Sequence, residues 1–473
     1  MNNKEIIEAF LEFENHSNVL NYHYKYQDML MWPFVRIYVI DAIVRSNISE
    51  EAGYVDSAAQ KKGIIKLFSY KWMQLFKIQK NPLFCRKHKD IIFFRSAVGS
   101  IKDDTGKYCD IVHDDFIALY DNTAIIEDAP FFRHFYPTKY KAYESDFLDI
   151  ICMLNEKIAR LNRADDVTIN EFLNYLRTDL PFKIKEEHWR TLRIILERYA
   201  KNNKLIYEYY KRCFMNMQPR IVFVTQGCYG SHAACKIKVL HDLGIPCAEM
   251  QHGVVTLSHF AYNFSNVIYT SKEYLEYMPN VFLTFGRYWM NRVRLPIKME
   301  VLGSANFYRN KCKMNEQQAK EILVLPSEDT QAWRDLIAFI GKSFPNKSVI
   351  VKIHPLYQMQ YKIFEEIENE QNNVKAYING NIYDYLTRAY VVIGDKTTVL
   401  YEAAALEKIV MIWNNAHSMH ADSNLGYLFN DKYELIGLLK EISLVKHKCA
   451  IETKDIFVDD IKENYLKFIQ KYL

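Results

Sequence analysis

From about residue 220 onward, short unbroken apolar runs alternate with stretches of helical periodicity, and no other feature constrains the fold as much. Arg220-Ile221-Val222-Phe223-Val224 reads as a strand. Residues 231–243 carry a helix pattern closed by Gly244, and Cys247-Ala248-Glu249-Met250 is a second strand. Two strands joined through a helix pair in parallel, by a right-handed crossover. Further strands are expected at 281–285, 299–302, 322–325, 348–353, 374–377, 390–393 and 409–412. Helices are expected near 329–342, 358–370, 381–388, 397–406, 432–443 and 460–472. Runs such as Val349-Ile350-Val351 lack polar alternation, which fits a sheet covered by helices on both faces. The expected class is α/β, with two Rossmann-like, doubly wound domains facing a cleft.

The first half adds helices to this plan. Trp32-Pro33 followed by Phe34, Ile37 and Ile40 sets proline at a helix start with an apolar face behind it. Asp90-Ile91-Ile92-Phe93-Phe94 is a buried strand, and 145–215 is largely helical. A chain of 473 residues exceeds one ordinary core. We therefore expect an N-terminal Rossmann-like domain over 1–285, with helical insertions, and a C-terminal Rossmann-like domain over 286–473, its last helix crossing back. Residues 60–89 hold nine Lys and Arg and no acidic residue, interleaved with Ile64, Leu67, Phe68, Trp72, Leu75 and Phe76. Such a segment suits either a membrane surface or packing on its own domain. The net charge of +4 gives no argument for nucleic acid. Nine cysteines without a C-x-x-C pair read as reduced thiols. With no signal-like N-terminus and no long apolar run, a cytoplasmic protein is expected, with the inner-membrane surface as a further partner.

In open α/β sheets ligands bind beyond the carboxyl ends of the strands. Behind Met250 comes Gln251-His252-Gly253, with His259 further on. A histidine before a turn-freeing glycine either faces the cleft, where its ordinary pKa suits proton abstraction, or bonds its own loop. Lys352 and His354-Pro355 end another strand and suit a phosphate or a charged leaving group. Gly394-Asp395-Lys396-Thr397-Thr398 opens a helix, offering hydroxyls and free amides to an anion, or a plain cap. Glu402, one turn in, suits ribose hydroxyls. Ser327 and Gly303-Ser304 follow strands on the same rim, and Gln226 lies in a glycine-bearing loop that lacks the phosphate-loop lysine. His417 and His420 lack companions for a metal.

The order of Gln251-His252-Gly253, His354-Pro355, Thr397-Thr398 and Glu402 resembles bacterial GT-B glycosyltransferases of capsule, O-antigen and lipooligosaccharide synthesis, including the sialyl- and Kdo-transferase groups. The likeness covers about 220–420. It implies a GT-B fold and inverting, metal-independent transfer of a sugar from a nucleotide-sugar to a glycan or lipid-linked glycan acceptor. It also implies His354, Thr397 and Thr398 on the donor phosphate, assisted by Lys352 and Ser327, and Gln251, Gly253, His259 and Gln226 on the acceptor side. Members with an acidic base carry Asp or Glu before the glycine, where this chain has His252. His252 is therefore the expected base, with Glu249 in reserve. No cofactor or catalytic metal is expected. A CDP-polyol phosphotransferase of teichoic-acid type, a sugar-nucleotide epimerase and a non-catalytic scaffold are the alternatives.

Overall fold

The computed structural model describes residues 3–47, 78–97, 99–129, 132–314, 319–327, 330–354, 361–415, 422–441 and 449–473. Seven strands form the first sheet: β1 Ile91–Ser96, β2 Thr123–Asp128, β3 Tyr143–Glu144, β4 Ile221–Val224, β5 Cys247–Met250, β6 Val281–Thr284 and β7 Lys298–Val301. They lie in the order β7-β6-β5-β4-β1-β2-β3, all parallel. Six strands form the second: β8 Glu321–Leu325, β9 Val349–Lys352, β10 Val374–Tyr377, β11 Ala389–Gly394, β12 Ile409–Trp413 and β13 Tyr427–Phe429. Their order is β10-β9-β8-β11-β12-β13, again all parallel. Both sheets are doubly wound, so the GT-B class expected from sequence is the one observed. Connections leave in opposite directions between β1 and β4 and between β8 and β11, which opens a crevice at those points.

Burial explains why these strands show no polar alternation. Ile92 and Phe94 of β1 face a cluster with Phe214, Met217 and Ile237 of helices Glu186–Met217 and His232–Asp242. Ile91 and Phe93 face the other way, against Tyr465 and Phe468 of the terminal helix Ile461–Ile469. Both faces are covered, so both sets of side chains are apolar. The last helix thus returns to the first sheet. The sheet itself runs past residue 285, because β7 pairs with β6.

The N-terminal helices Asn3–His16 and Trp32–Asn47 are fixed by a buried ion pair. Glu14 accepts from Arg36 Nε and Trp32 Nε1, both at 2.7 Å, and from the Ser265 amide at 3.2 Å. The Arg36 guanidinium also donates to the carbonyls of Phe260 and Asn263. A buried pair persists when its remaining donors and acceptors are satisfied, as here. The clamp fixes the loop that follows His252. Residues 60–77 of the basic segment lie outside the described residues. Its described remainder carries two short turns, Ile78–Lys80 and Pro82–Phe84, and Lys80 binds Glu144. No described helix is long and apolar enough to cross a membrane.

At the outer edge of the first sheet the buried His134 ring lies between Glu127 (2.6 Å) and Asp146 (2.9 Å). Burial opposes its charge, but these carboxylates and Glu144 raise its pKa to about 9. The ring is therefore an imidazolium that donates from both nitrogens. Because the folded pKa lies above the ordinary value of about 6.5, its stabilisation is complete below pH 6.5 and is lost as pH rises through 9. We expect stability to decline between pH 6.5 and 9.5, by up to about 3 kcal/mol. His134→Gln should be less stable at pH 6 and show a flatter decline in thermal melts.

A second expectation concerns Gly286, whose Cβ would run into the backbone carbonyls of Asp455 and Ile456. Gly286→Ala should cost about 2 kcal/mol or more in denaturant melts, whereas Gly437→Ala, where a Cβ meets nothing within 4 Å, should not.

Candidate functional site

The carboxyl ends of the two sheets face one cavity of about 1230 Å³. The first sheet supplies Gln251 and His252 after β5, Phe285 after β6, and Ser304 and Arg309 after β7. The β1–β2 connection adds Lys102, Val112 and Phe116. The second sheet supplies Ser327 after β8, Lys352 and His354 at the end of β9, Asn379–Tyr383 after β10, and Asp395–Thr398 with Glu402 after β11. The walls meet where Asn381 Nδ2 donates to Asn310 Oδ1 at 3.2 Å, and they come close where a Cβ on Gly253 would stand 3.8 Å from Thr398 Oγ1.

Lys352 is the unusual group. It is 7% exposed, and its Nζ donates to the carbonyls of Ile353 (3.1 Å) and Ile378 (2.6 Å). Among the described residues no carboxylate lies within ion-pair distance. Burial lowers its pKa, as expected for a cation with dipoles but no counter-charge. The exposed His354 stands beside it, its pKa lowered by burial and then by the Lys352 charge.

Across the crevice, helix Thr398–Ala405 starts at the β8/β11 switch point. Thr397 caps it, its Oγ1 accepting from the Val399 amide at 3.3 Å. Thr398 Oγ1 is turned toward the Gly253 wall. Ser327 is already engaged: its hydroxyl donates to buried Asp395 at 2.6 Å and accepts from Trp333 Nε1 at 3.2 Å. It therefore holds the loop that carries Asp395, with Asn415 on the same carboxylate. Glu402 lines the cavity, and its Oε2 is buried without a hydrogen-bond partner. Burial raises its pKa to about 7, Tyr383 opposing, so near neutral pH it can both donate and accept.

On the first-sheet wall, Glu249 is fully buried behind His252 and does not line the cavity. It accepts from the Tyr262 hydroxyl and the Cys228 amide, both at 2.7 Å. Since that hydroxyl proton is given to Glu249, the Tyr262 oxygen accepts from His252 Nδ1, at 3.4 Å. The Nε2 of His252 then keeps its lone pair. Burial pushes the His252 pKa down to about 4, His113 adding to the effect and Asp110 opposing. The ring is neutral at physiological pH.

The remaining acceptor-side residues divide. Gln251 reaches the cavity but is buried as a brace, bridging the Gly253 carbonyl and the Phe285 amide. His259 does not line the cavity: its Nδ1 caps the turn Phe260–Tyr262. Gln226 is exposed, in a left-handed conformation away from the cavity. Both loops leave their strands in other directions, so these two are not brought to the cleft. Pro355, His417 and His420 lie outside the described residues. Sequence reasoning missed the Asn379-Gly380-Asn381 turn, although glycine between two asparagines after a strand is a turn signal. Gly380 has φ +100°, and the Tyr385 ring packs against it.

No protein-family model matches this sequence, and no curated protein sequence does. Among solved structures it is similar to a UDP-GlcNAc 2-epimerase from Neisseria meningitidis, bound to UDP-GlcNAc. Identity is 12%, with 80% of this chain and 99% of that one covered and a TM-score of 0.47. A UDP-GlcNAc 2-epimerase from Methanocaldococcus jannaschii gives 11%, 81%, 99% and 0.46. The wall teichoic acid polymerase TagF gives 10%, 88%, 99% and 0.41. The finer likeness to sialyl- and Kdo-transferases has no support among these.

A buried cation held only by carbonyls should draw an anion. Pyrophosphate should raise the melting temperature of the wild type and bind Lys352→Met at least tenfold more weakly, about 1.4 kcal/mol in a titration.

Proposed function

We propose that the chain is an inverting, metal-independent glycosyltransferase that uses a nucleotide-sugar donor and a glycan acceptor of bacterial surface polysaccharide. The observation that carries this reading is Lys352, a buried cation with no carboxylate partner among the described residues, in a cavity that also receives a helix start bearing Thr397 and Thr398. A donor phosphate would complete its charge. Charge building on the departing phosphate would be met by Lys352, His354, the threonine hydroxyls and the helix amides. Glu402 would take ribose hydroxyls, its buried Oε2 gaining the partner it lacks.

His252 would accept the acceptor hydroxyl's proton on Nε2 as the hydroxyl oxygen attacks the anomeric carbon and the nucleotide departs. Glu249, through Tyr262, orients the ring but does not reach the cavity. This favours His252 over Glu249 as the base. The size of the cavity favours two substrates over one. Ordinary small-molecule sites occupy roughly 300–1,000 Å³, and about 1230 Å³ leaves room for an acceptor beside the donor. An epimerase needs only the donor.

The test is a thermal-shift titration with CMP, CDP, UDP, GDP and dTDP on wild type and His354→Ala. One nucleotide should stabilise the wild type and much less the variant. A response confined to CDP-polyols would favour the polyol phosphotransferase, turnover of a sugar nucleotide without acceptor the epimerase, and no shift at all the scaffold. With the donor so found, His252→Ala should lower kcat about 10²- to 10⁴-fold while leaving the nucleotide shift intact. The acidic limb of kcat/KM should lie well below pH 6.5, because burial keeps His252 unprotonated there.

A further inference from the structure

At the outer edge of the first sheet one imidazole is met by three buried carboxylates. Parallel pairing sets Glu127 of β2 beside Glu144 of β3 in register, so both side chains leave on one face. Asp146 follows at the first position of helix Asp146–Ile158. His134 reaches all three from the β2–β3 connection. Its Nδ1 lies 2.6 Å from Glu127 Oε1, and its Nε2 lies 2.9 Å from Asp146 Oδ1 and 4.0 Å from Glu144 Oε2. The three carboxylates are buried, and none of the four residues lines the cavity between the sheets.

Two observations set this group apart from an ordinary ion-pair network. Among the described residues, Asp146 Oδ2 is buried and has no hydrogen-bond partner. A carboxylate oxygen taken out of water and left unpaired is costly, and a cation is the partner that would satisfy it. The two ends of the His134 ring also differ. Arg95 Nε holds the other oxygen of Glu127 at 2.7 Å, so Glu127 fixes the Nδ1 end. At the other end Nε2, Asp146 and Glu144 each offer a donor atom, and these atoms lie within 4.8 Å of one another. A carboxylate on one ring nitrogen, with acidic oxygens gathered at the other, is the arrangement of a metal-bound histidine and its outer support. Glu144 is supported in the same way, since Lys80 and Tyr136 hold its Oε1 while Oε2 is the oxygen on the His134 side.

We infer that His134 Nε2, Asp146 and Glu144 Oε2 form a binding site for one divalent cation of the zinc type. An imidazole nitrogen among carboxylate oxygens suits zinc, whereas calcium and magnesium take oxygen ligands. Nε2, Glu144 Oε2 and both Asp146 oxygens give the four donor atoms that zinc commonly takes. Bonds of about 2.0–2.2 Å set tetrahedral neighbours roughly 3.3 Å apart, between the 2.9 and 4.0 Å separations at Nε2. The imidazolium described above is the state without metal. The ion takes the place of the Nε2 proton, and Nδ1 keeps its proton on Glu127. Such an ion would tie β2, β3 and the following helix together, and the transfer proposed above does not pass through it.

The experiment is a zinc titration of full-length, chelator-stripped protein near pH 7.5, read as ions bound per chain by equilibrium dialysis and as melting temperature. The wild type should bind an ion at this site and melt higher with it. His134→Gln and Asp146→Asn should each weaken that binding at least tenfold. Cys312→Ser, which removes an exposed thiol, should keep it. Histidine-labelled NMR of the wild type gives a second readout that does not depend on whether the variants fold. Zinc should remove the Nε2 proton of His134 and leave the Nδ1 proton in place, a change that a purely structural ion pair would not show. A wild type that binds no zinc, or that binds it with the His134 signals unchanged, would overturn the proposal. So would folded His134→Gln protein that binds zinc as tightly as the wild type. The nucleotide titration reports on the transferase reading separately.

Discussion

The connection from β6 to β7 of the first sheet and the segment that returns from the second sheet are packed together, and this contact holds the two sheets with their carboxyl edges toward one another. Leaving β6, the chain runs through Gly286 into Trp289. Returning from the second sheet, it runs through Asp455 to Val458. The Val458 amide bonds the Phe285 carbonyl at 3.1 Å, and the Ile456 carbonyl accepts from Trp289 Nε1 at 2.8 Å. Phe457 stacks between Phe285 and Phe307. Glycine stands at 286 because no side chain fits beneath the returning backbone. Trp289 also packs against Tyr401, at 4.7 Å between rings, on the helix that Thr397 caps. The crossing therefore sets the helix start relative to the His252 wall, and every distance across the cavity depends on it.

Within that frame the cavity collects groups whose charge is poorly compensated by protein. Lys352 has carbonyls and no carboxylate, Glu402 has an orphaned oxygen, and His252 is kept neutral by burial. Each is costly in a folded protein, since desolvation is not repaid by pairing. The opposite treatment is seen at His134, Arg95 and the Glu14–Arg36 pair, where buried charges are closely paired. The contrast separates closely paired groups that hold the fold together from cavity groups that are poorly compensated.

Much of the architecture was legible in the chain. Strands with apolar residues on both faces, such as 91–94 and 349–352, cannot be half-exposed hairpins, and the helices between them require parallel pairing. The strands 123–128, 143–144 and 427–429 were harder to see. Two are very short, and Thr123–Asp128 offers only Ala124, Ile125 and Ile126 between polar ends. The amphipathic face expected within 60–89, from Ile64 to Phe76, lies outside the described residues. In the site, Lys352, His354, Thr397, Thr398 and Glu402 were legible because each follows a strand end or opens a helix at the switch point. His259 and Gln226 share the same local signals but cap or leave their loops elsewhere.

The sequence by itself determined which segments become strands and helices and which strand ends carry polar groups, because those depend on periodicity and local backbone preference. It also determined that the sheets are parallel and covered on both faces. Only the tertiary structure decided which strand ends face the same space. It made Ser327 a brace, buried Lys352 on the carbonyls of Ile353 and Ile378, and set Glu249 behind Tyr262 instead of in the cleft. Those outcomes depend on how desolvation and pairing are shared among residues far apart in the chain, and no local pattern encodes that.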